Sequence, residues 1–197
     1  MVLIHSKQGS LQMKKLPKIL LVILITVGAL LEPPAVHASH MRTPINWRKS
    51  SETVPYPNLA TVPNLWIKVR LKHNRTYVYS GKKVVYTMYS TAGKFEKDPT
   101  SGKDKSVTPT GTFTIQDVRG DWVYNPNLKL GAKYYVAWNG DYLFHTVVTN
   151  ANHRYIKSEA AKLGKKPSSP GCVCLSVPDA EWFANTVPTG TKVVVTN

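Results

Sequence analysis

From Leu65 onward the chain alternates. Leu65, Ile67, Val69 and Leu71 are interleaved with Trp66, Lys68 and Arg70, and a period of two puts one set on each face of an extended strand. The pattern recurs in short runs separated by turn residues. "RTYVYSGKKVVYTMYS" reads as a hairpin with Gly81-Lys82 as a two-residue turn. "GTFTIQD" alternates again, with Phe113 and Ile115 on one face, and "YYVAW" and "YLFHTVV" flank the hairpin signal Asn139-Gly140. "TKVVVT" closes the chain, while the polar stretch 94–107, with Pro99 and Gly102, reads as a loop. Only two segments read as helices. One covers Ser158–Leu163 and is stopped by Gly164. The other starts at Ser176, where Ser-Val-Pro-Asp has the capping-box form and turns Trp182 and Phe183 inward. A strand-rich chain of this size predicts one mostly β domain over 64–197, a β-sandwich or partly closed barrel with one or two short helices.

The preceding residues differ in kind. Lys14, Lys15 and Lys18 lead into an apolar run from Ile19 to Leu31, broken by Glu32-Pro33-Pro34 and followed by Val36-His37-Ala38. That is the layout of a secretory signal over 1–38. The apolar run of 13 residues falls short of the roughly 20 that a membrane-spanning helix needs. Residues 39–63 carry Pro44, Pro55, Pro57 and Pro63 among polar neighbours and read as an extended, Pro-rich linker.

Charge narrows the partners. Residues 1–38 hold Lys7, Lys14, Lys15, Lys18 and Glu32; without them 22 of the 26 basic and 10 of the 11 acidic residues remain, a net +12. That balance suits an anionic partner. Export speaks against nucleic acid and for the anionic polymers of a bacterial wall. The plainer reading is that lysines on exposed strands keep edges unpaired. No obligate protein partner is inferred.

The two cysteines, Cys172 and Cys174, are two apart in "SSPGCVCL". On a strand they point the same way, near the limit of Cα separation for a disulfide and with parallel Cβ directions. A structural zinc site needs four ligands. A free thiol is therefore expected, and its reactivity is the reason to look for a base. Beyond residue 38 the histidines are His40, His73, His145 and His153. His145 ends an apolar strand, where a rigid element presents it to a cleft. His153 lies in the polar "TNANHR" and is the second candidate. No histidine follows Cys172, unlike the order in papain-like peptidases, and no arginine follows it either, unlike sortases.

With these residues in place the chain resembles the L,D-transpeptidases, the YkuD-type catalytic domain. "TPTGTF" (108–113) looks like that family's Thr-Pro-x-Gly-x-Phe segment, and "LFHTV" like its catalytic-His strand. "SSPGCVCLSVPDAEWFANTVPTGTKVVV" looks like its Ser-His-Gly-Cys-Val-Arg-Leu segment with the helix and ending that follow. Two positions depart from it. Pro170 stands where the motif has His, and Cys174 where it has Arg or Asn.

The resemblance implies an L,D-transpeptidase fold, Cys172 as nucleophile and His145 as base. It places Gly171, Ser169 and Thr146 in supporting or oxyanion roles, the oxyanion charge being met by backbone N–H groups near Gly171 and Cys172, with Cys174 and His153 as possible substrate contacts. The implied substrate is a peptidoglycan stem tetrapeptide, acylated on Cys172 and passed to an amine of a neighbouring stem as a 3→3 crosslink, or to water in a carboxypeptidase. No metal or organic cofactor is required. Against this stand a wall-binding module with a weakened site and a purely structural domain with two buried cysteines.

Overall fold

The computed structural model describes residues 40–197; the expected signal segment, 1–38, lies outside them. Among the described residues eleven strands form: β1 Leu65–Arg70, β2 Arg75–Ser80, β3 Lys83–Thr91, β4 Phe95–Lys97, β5 Asp104–Ser106, β6 Gly111–Thr114, β7 Arg119–Asn125, β8 Leu130–Asn139, β9 Tyr142–Thr146, β10 Val173–Leu175 and β11 Lys192–Thr196. Two helices accompany them, α1 Lys157–Ala160 and α2 Val177–Thr186, with a 3-10 turn at Leu59–Thr61.

Nine strands make one sheet in the order β6-β11-β1-β2-β3-β10-β9-β8-β7. The sheet curls until its two sides meet. The Phe113 ring of β6 packs edge-on against Trp138 of β8, centroids 4.9 Å apart. Just past β6, the Gln116 N–H donates to Ala137 O of β8 at 2.8 Å, and the Ala137 N–H donates to Val118 O at 2.8 Å. This is the partly closed, mostly β architecture expected of the alternating runs. The inward set of each strand fills the curl: Ile67 and Val69, Val78, Phe144, Val173 and Val193 are buried. Helix α2 closes it, with Phe183 edge-on to Phe144 at 5.0 Å. Full burial of such a side chain is worth about 1.5–3 kcal/mol.

The anticipated turns form. Gly81, at φ 56°, sits in the β2–β3 hairpin and Gly140, at φ 53°, in the β8–β9 hairpin, both in backbone that favours glycine. Ser176 caps α2 by accepting the Asp179 N–H. Regular α-helix in the first helical segment covers only Lys157–Ala160. The stretch 94–107, expected as a loop, contains the small hairpin β4–β5, paired from Phe95↔Ser106 to Lys97↔Asp104. Its three-residue strands are too short to leave a periodic trace in sequence.

The Pro-rich segment corrects a further expectation. Over 40–63 it is not a spacer but is fastened to the domain. Leu59 is 1% exposed within the main core. Tyr56 stacks on Trp182 at 4.5 Å. The carboxylate of Asp179 is what holds the segment: it accepts from the Ser51 N–H at 3.2 Å, from the Ser51 hydroxyl, and from the Tyr56 hydroxyl at 2.9 Å. The Tyr86 hydroxyl reaches the same carboxylate at 3.3 Å. Its place in the first turn of α2 adds the favourable helix dipole. The capping box is thus half made, because the acid turns away from the Ser176 backbone to a partner 128 residues distant.

Removing this buried acceptor would strand several donors at once. Asp179→Ala is expected to lower the unfolding free energy by about 1–3 kcal/mol for each buried donor left without a partner and to free the 40–58 segment. Chemical denaturation together with limited proteolysis measures both; an unchanged midpoint would show that the segment is not held this way.

Candidate active site

The two cysteines are free thiols. Cys172 sits at the end of a tight turn, Ser169-Pro170-Gly171-Cys172, immediately before β10. Most polar groups of that turn have set partners. The Ser169 hydroxyl donates to the Cys172 carbonyl and accepts the Gly171 N–H at 3.1 Å. The turn is hung on the sheet by the Ser169 N–H, which donates to Ala92 O at 3.0 Å, and by the Lys94 N–H, which donates to Ser169 O at 3.1 Å. Gly171 lies at φ 147°, and a Cβ there would come within 2.6 Å of the Tyr142 ring. Conformation and space both demand glycine. The N–H of Gly171, expected as an oxyanion donor, is spent on Ser169.

The Cys172 sulfur lies against the start of β9. The Leu143 N–H donates to Sγ at 3.4 Å, and the thiol lies 3.7 Å from the Asp141 carbonyl. Burial pushes the thiol pKa up, the Leu143 N–H pulls it down, and the charge of Asp141 raises it further. The resting group is therefore a thiol, not a preformed thiolate.

His145 stands on β9, which pairs in parallel with β10 in the register Val173↔Phe144, Cys174↔His145 and Leu175↔Thr146. Paired residues share a face, so His145, Cys174 and, one step back, Cys172 all look into one cleft. His145 is only 4% exposed. Its Nδ1 lies 2.6 Å from the Thr146 carbonyl. A carbonyl only accepts, so Nδ1 carries the proton and Nε2 holds the free lone pair. Burial lowers the ring pKa to about 4, against the opposing pull of the Thr146 carbonyl. At neutral pH the side chain is a neutral imidazole in a single tautomer, which is the form a proton acceptor requires.

The cleft has a volume of about 650 Å³ and takes in Cys172, His145, Gly171 and Ser169 on its floor. Its far wall is the β7–β8 hairpin with the intervening Asn125–Leu130 turn. Val118, 61% exposed, and Leu128, 48% exposed, stand on that rim.

The other anticipated residues divide. Thr146 supports the site through its carbonyl; its hydroxyl faces away, accepting the Lys133 N–H at 3.2 Å. Cys174 lines the cleft floor but is 5% exposed. Burial, then the charges of Cys172 and Glu159, push its thiol far above the ordinary range, so it is the inert member of the pair. His153 is not in the cleft. It stacks on Trp122 of β7 at 3.8 Å, and neither ring is among the residues that line the cleft. Its loop is tied down by Asn150, whose side chain accepts the N–H groups of Asn152 and Arg154. As base or direct cleft contact His153 is therefore displaced.

Two contributors escaped the sequence reading. Tyr142 closes over Gly171. Thr108, fully buried, donates its hydroxyl to the Gly171 carbonyl at 2.7 Å and accepts the Gly93 N–H at 2.7 Å. The signal for Thr108 was present, since it opens the quoted "TPTGTF". Nothing in the sequence says which carbonyl it reaches.

A curled sheet that seats one thiol and one single-tautomer histidine on the floor of an open cleft, in the order His then Cys, has the layout of an L,D-transpeptidase catalytic domain. The chain belongs to that family: the family model described as YkuD, L,D-transpeptidase catalytic domain, matches residues 64–195. The chain is 38% identical over 156 residues to "Putative L,D-transpeptidase YciB" of Bacillus subtilis (strain 168), across 78% of this chain and 76% of that protein. Its fold is similar to that of an L,D-transpeptidase from Mycobacterium smegmatis and of LdtMt1 in complex with imipenem. Each is 20% identical at a TM-score of 0.51, covering 68% of this chain and 59% of the solved chain. The chain thus spans less than two thirds of either solved chain.

The state of His145 has a measurable consequence. Between about 4 and the ordinary histidine value of 6.5, the unfolded chain binds the extra proton and the folded chain does not. Stability therefore rises with pH across that window, and is lost as pH falls from 6.5 through 4. Relative to His145→Gln, the native protein should lose up to about 3 kcal/mol over this range. Chemical denaturation of both proteins at pH 7 and pH 4 measures the difference; an identical drop in both would place the titration elsewhere.

Proposed function

We propose that this chain is a peptidoglycan L,D-transpeptidase that works through a Cys172 acyl-enzyme on stem tetrapeptides and forms 3→3 crosslinks. The observation that carries the reading is the His145 tautomer: Nδ1 is held by Thr146 O, leaving Nε2 to the cleft shared with Cys172.

The ground state is a neutral pair. As the substrate enters, the thiol leaves the Asp141 carbonyl and passes its proton to His145 Nε2 while sulfur attacks the carbonyl of the third stem residue. A C–S bond forms and the carbonyl electron pair moves onto oxygen. That oxyanion needs a donor. The Gly171 N–H is engaged by Ser169, so the role falls to the N–H of Cys172. Collapse breaks the C–N bond, and His145 gives its proton to the departing D-alanine amine. An acceptor amine then attacks the thioester after losing a proton to the same nitrogen, restoring the thiol; water in its place gives the carboxypeptidase reaction. Splitting one amide exchange into two acyl transfers is the usual gain of a covalent intermediate. The protein is exported and acts at the cell wall, its net positive charge suiting anionic wall polymers.

A wall-binding module with a weakened site is the second reading, favoured by the raised thiol pKa of Cys172 and by Cys174 in the Arg position. Mass spectrometry of intact protein with a stem tetrapeptide, and with imipenem, separates the two. An adduct on Cys172 is expected, lost in Cys172→Ala and kept in Cys174→Ala. His145→Ala should slow acylation by at least about 10²-fold, and His153→Ala by less than about tenfold. Retention on isolated sacculi without any adduct would favour the binding module. For export, N-terminal sequencing from the native host should find a chain beginning near Ser39; full-length chain in the membrane fraction would count against cleavage.

A further inference from the structure

Three hydrogen bonds fix the turn that carries Cys172, and one of its amides is left over. Ser169 takes the Gly171 N–H and donates to the Cys172 carbonyl. Thr108 takes the Gly171 carbonyl. Among the described residues no hydrogen-bond partner is found for the N–H of Cys172. A polar backbone group without a partner is uncommon away from solvent, and this one borders the cleft.

The Gly171 carbonyl and the Cys172 N–H belong to the same peptide unit. A trans peptide is planar, and its C=O and N–H point in opposite directions. Whatever aims the oxygen therefore aims the N–H. Here the oxygen is drawn into the protein by a hydroxyl that is itself fully buried, so the N–H points the other way, away from that buried hydroxyl, at a residue that lines the cleft. The direction of the Thr108 hydrogen is not free either. The Gly93 N–H donates to Oγ1 at 2.7 Å, and the Gly171 carbonyl can only accept, so the hydroxyl proton lies on the Gly171 side. Gly93 is in turn confined: a Cβ there would meet Thr108 Oγ1 and the Val107 side chain at 2.6 Å. Ser106 completes the chain of contacts, donating to the Gly93 carbonyl at 3.1 Å and accepting the Thr108 N–H at 3.1 Å.

We propose that Thr108 is a positioning residue of acyl transfer, whose hydroxyl aims the Cys172 N–H at the place where the oxyanion develops. The inference rests on the acyl-enzyme reading above. Thr108 touches neither substrate nor sulfur. It acts through the Gly171–Cys172 peptide in two ways: it sets the direction of the donor, and by bonding the carbonyl it polarises the amide, strengthening the N–H as a donor. Alkylation of the thiol develops no oxyanion, so it needs the nucleophile and the base but not this amide. A role confined to oxyanion stabilisation must therefore slow acylation and spare alkylation.

The test compares native protein with Thr108→Val, which keeps the shape and loses the hydroxyl, and Thr108→Ser, which keeps the hydroxyl. Imipenem acylation is followed by mass spectrometry, iodoacetamide alkylation of Cys172 by the same method, and folding by thermal melts. Thr108→Val is expected to lower the first-order acylation rate about 10- to 100-fold, somewhat less than deletion of an oxyanion donor. Its alkylation rate should stay within about twofold, and Thr108→Ser should acylate within about threefold of the native rate. If the Val variant fails to melt cooperatively, Thr108→Ala, equally without a donor, takes its place with the same expectation. Acylation unchanged in the donor-free variant, equal loss in both reactions, or a Ser variant as slow as the Val variant each overturns the assignment of Thr108 alone. Native protein that alkylates normally but is never acylated overturns the acyl-enzyme reading, and this inference with it.

Discussion

The parallel pairing of β9 with β10 is the constraint on which the rest of the molecule turns. Parallel neighbours cannot be joined by a hairpin, and here the chain travels from Thr146 to Val173 by way of α1 before returning beside its starting strand. The outcome is a short strand wedged between β3 and β9, with Cys174 opposite His145 and Cys172 just beyond the strand end. A slip of one residue would turn both thiols to the other face. What prevents it is the apolar side: Val173 and Leu175 are fully buried against Phe144 and helix α2, so the chemistry on one face is indexed by the packing on the other.

A second layer of constraint acts through polar groups with no periodicity. Asp179 draws in Ser51 and Tyr56. Burial raises its pKa, while the donors from Ser51, Ser176 and Tyr56 lower it. The two tyrosines around it have their own pKa values raised by burial and by the carboxylate, so they remain donors. The same helix that carries Asp179 carries Phe183 under β9, so the N-terminal segment is tied to the element that supports the histidine strand.

The legible part of the fold was the part whose signal is local. Alternation found β1 and the β2–β3 hairpin; Gly81 and Gly140 marked their turns; Ser176 announced α2. The cysteine and its histidine were legible because one ends a Ser-Pro-Gly turn and the other ends an apolar strand. Strand β7 was not, because its charged and glycine residues, Arg119, Gly120 and Asp121, interrupt the alternation and its inward side faces an open cleft. The 40–63 segment looked like a linker because prolines dominate it locally, while its anchors are contacts with residues such as Asp179, far along the chain. His153 and His145 could be ranked by position but not separated by distance, since only the fold puts Trp122 beneath one and Thr146 O beside the other.

The placement of the two thiols also bears on how the protein ages. Cys172 is the reachable one, and Cys174, two residues on, is shut into the floor behind Pro170 with its thiolate strongly disfavoured. Both thiols are free, and the two lie only two residues apart, a spacing poorly suited to a disulfide. A sulfenic acid formed on Cys172 would find no resolving neighbour within the chain. Recovery would then fall to small external thiols, and prolonged exposure to peroxide would carry the nucleophile on to irreversible sulfinic and sulfonic forms. The second cysteine gives the first no insurance against oxidation.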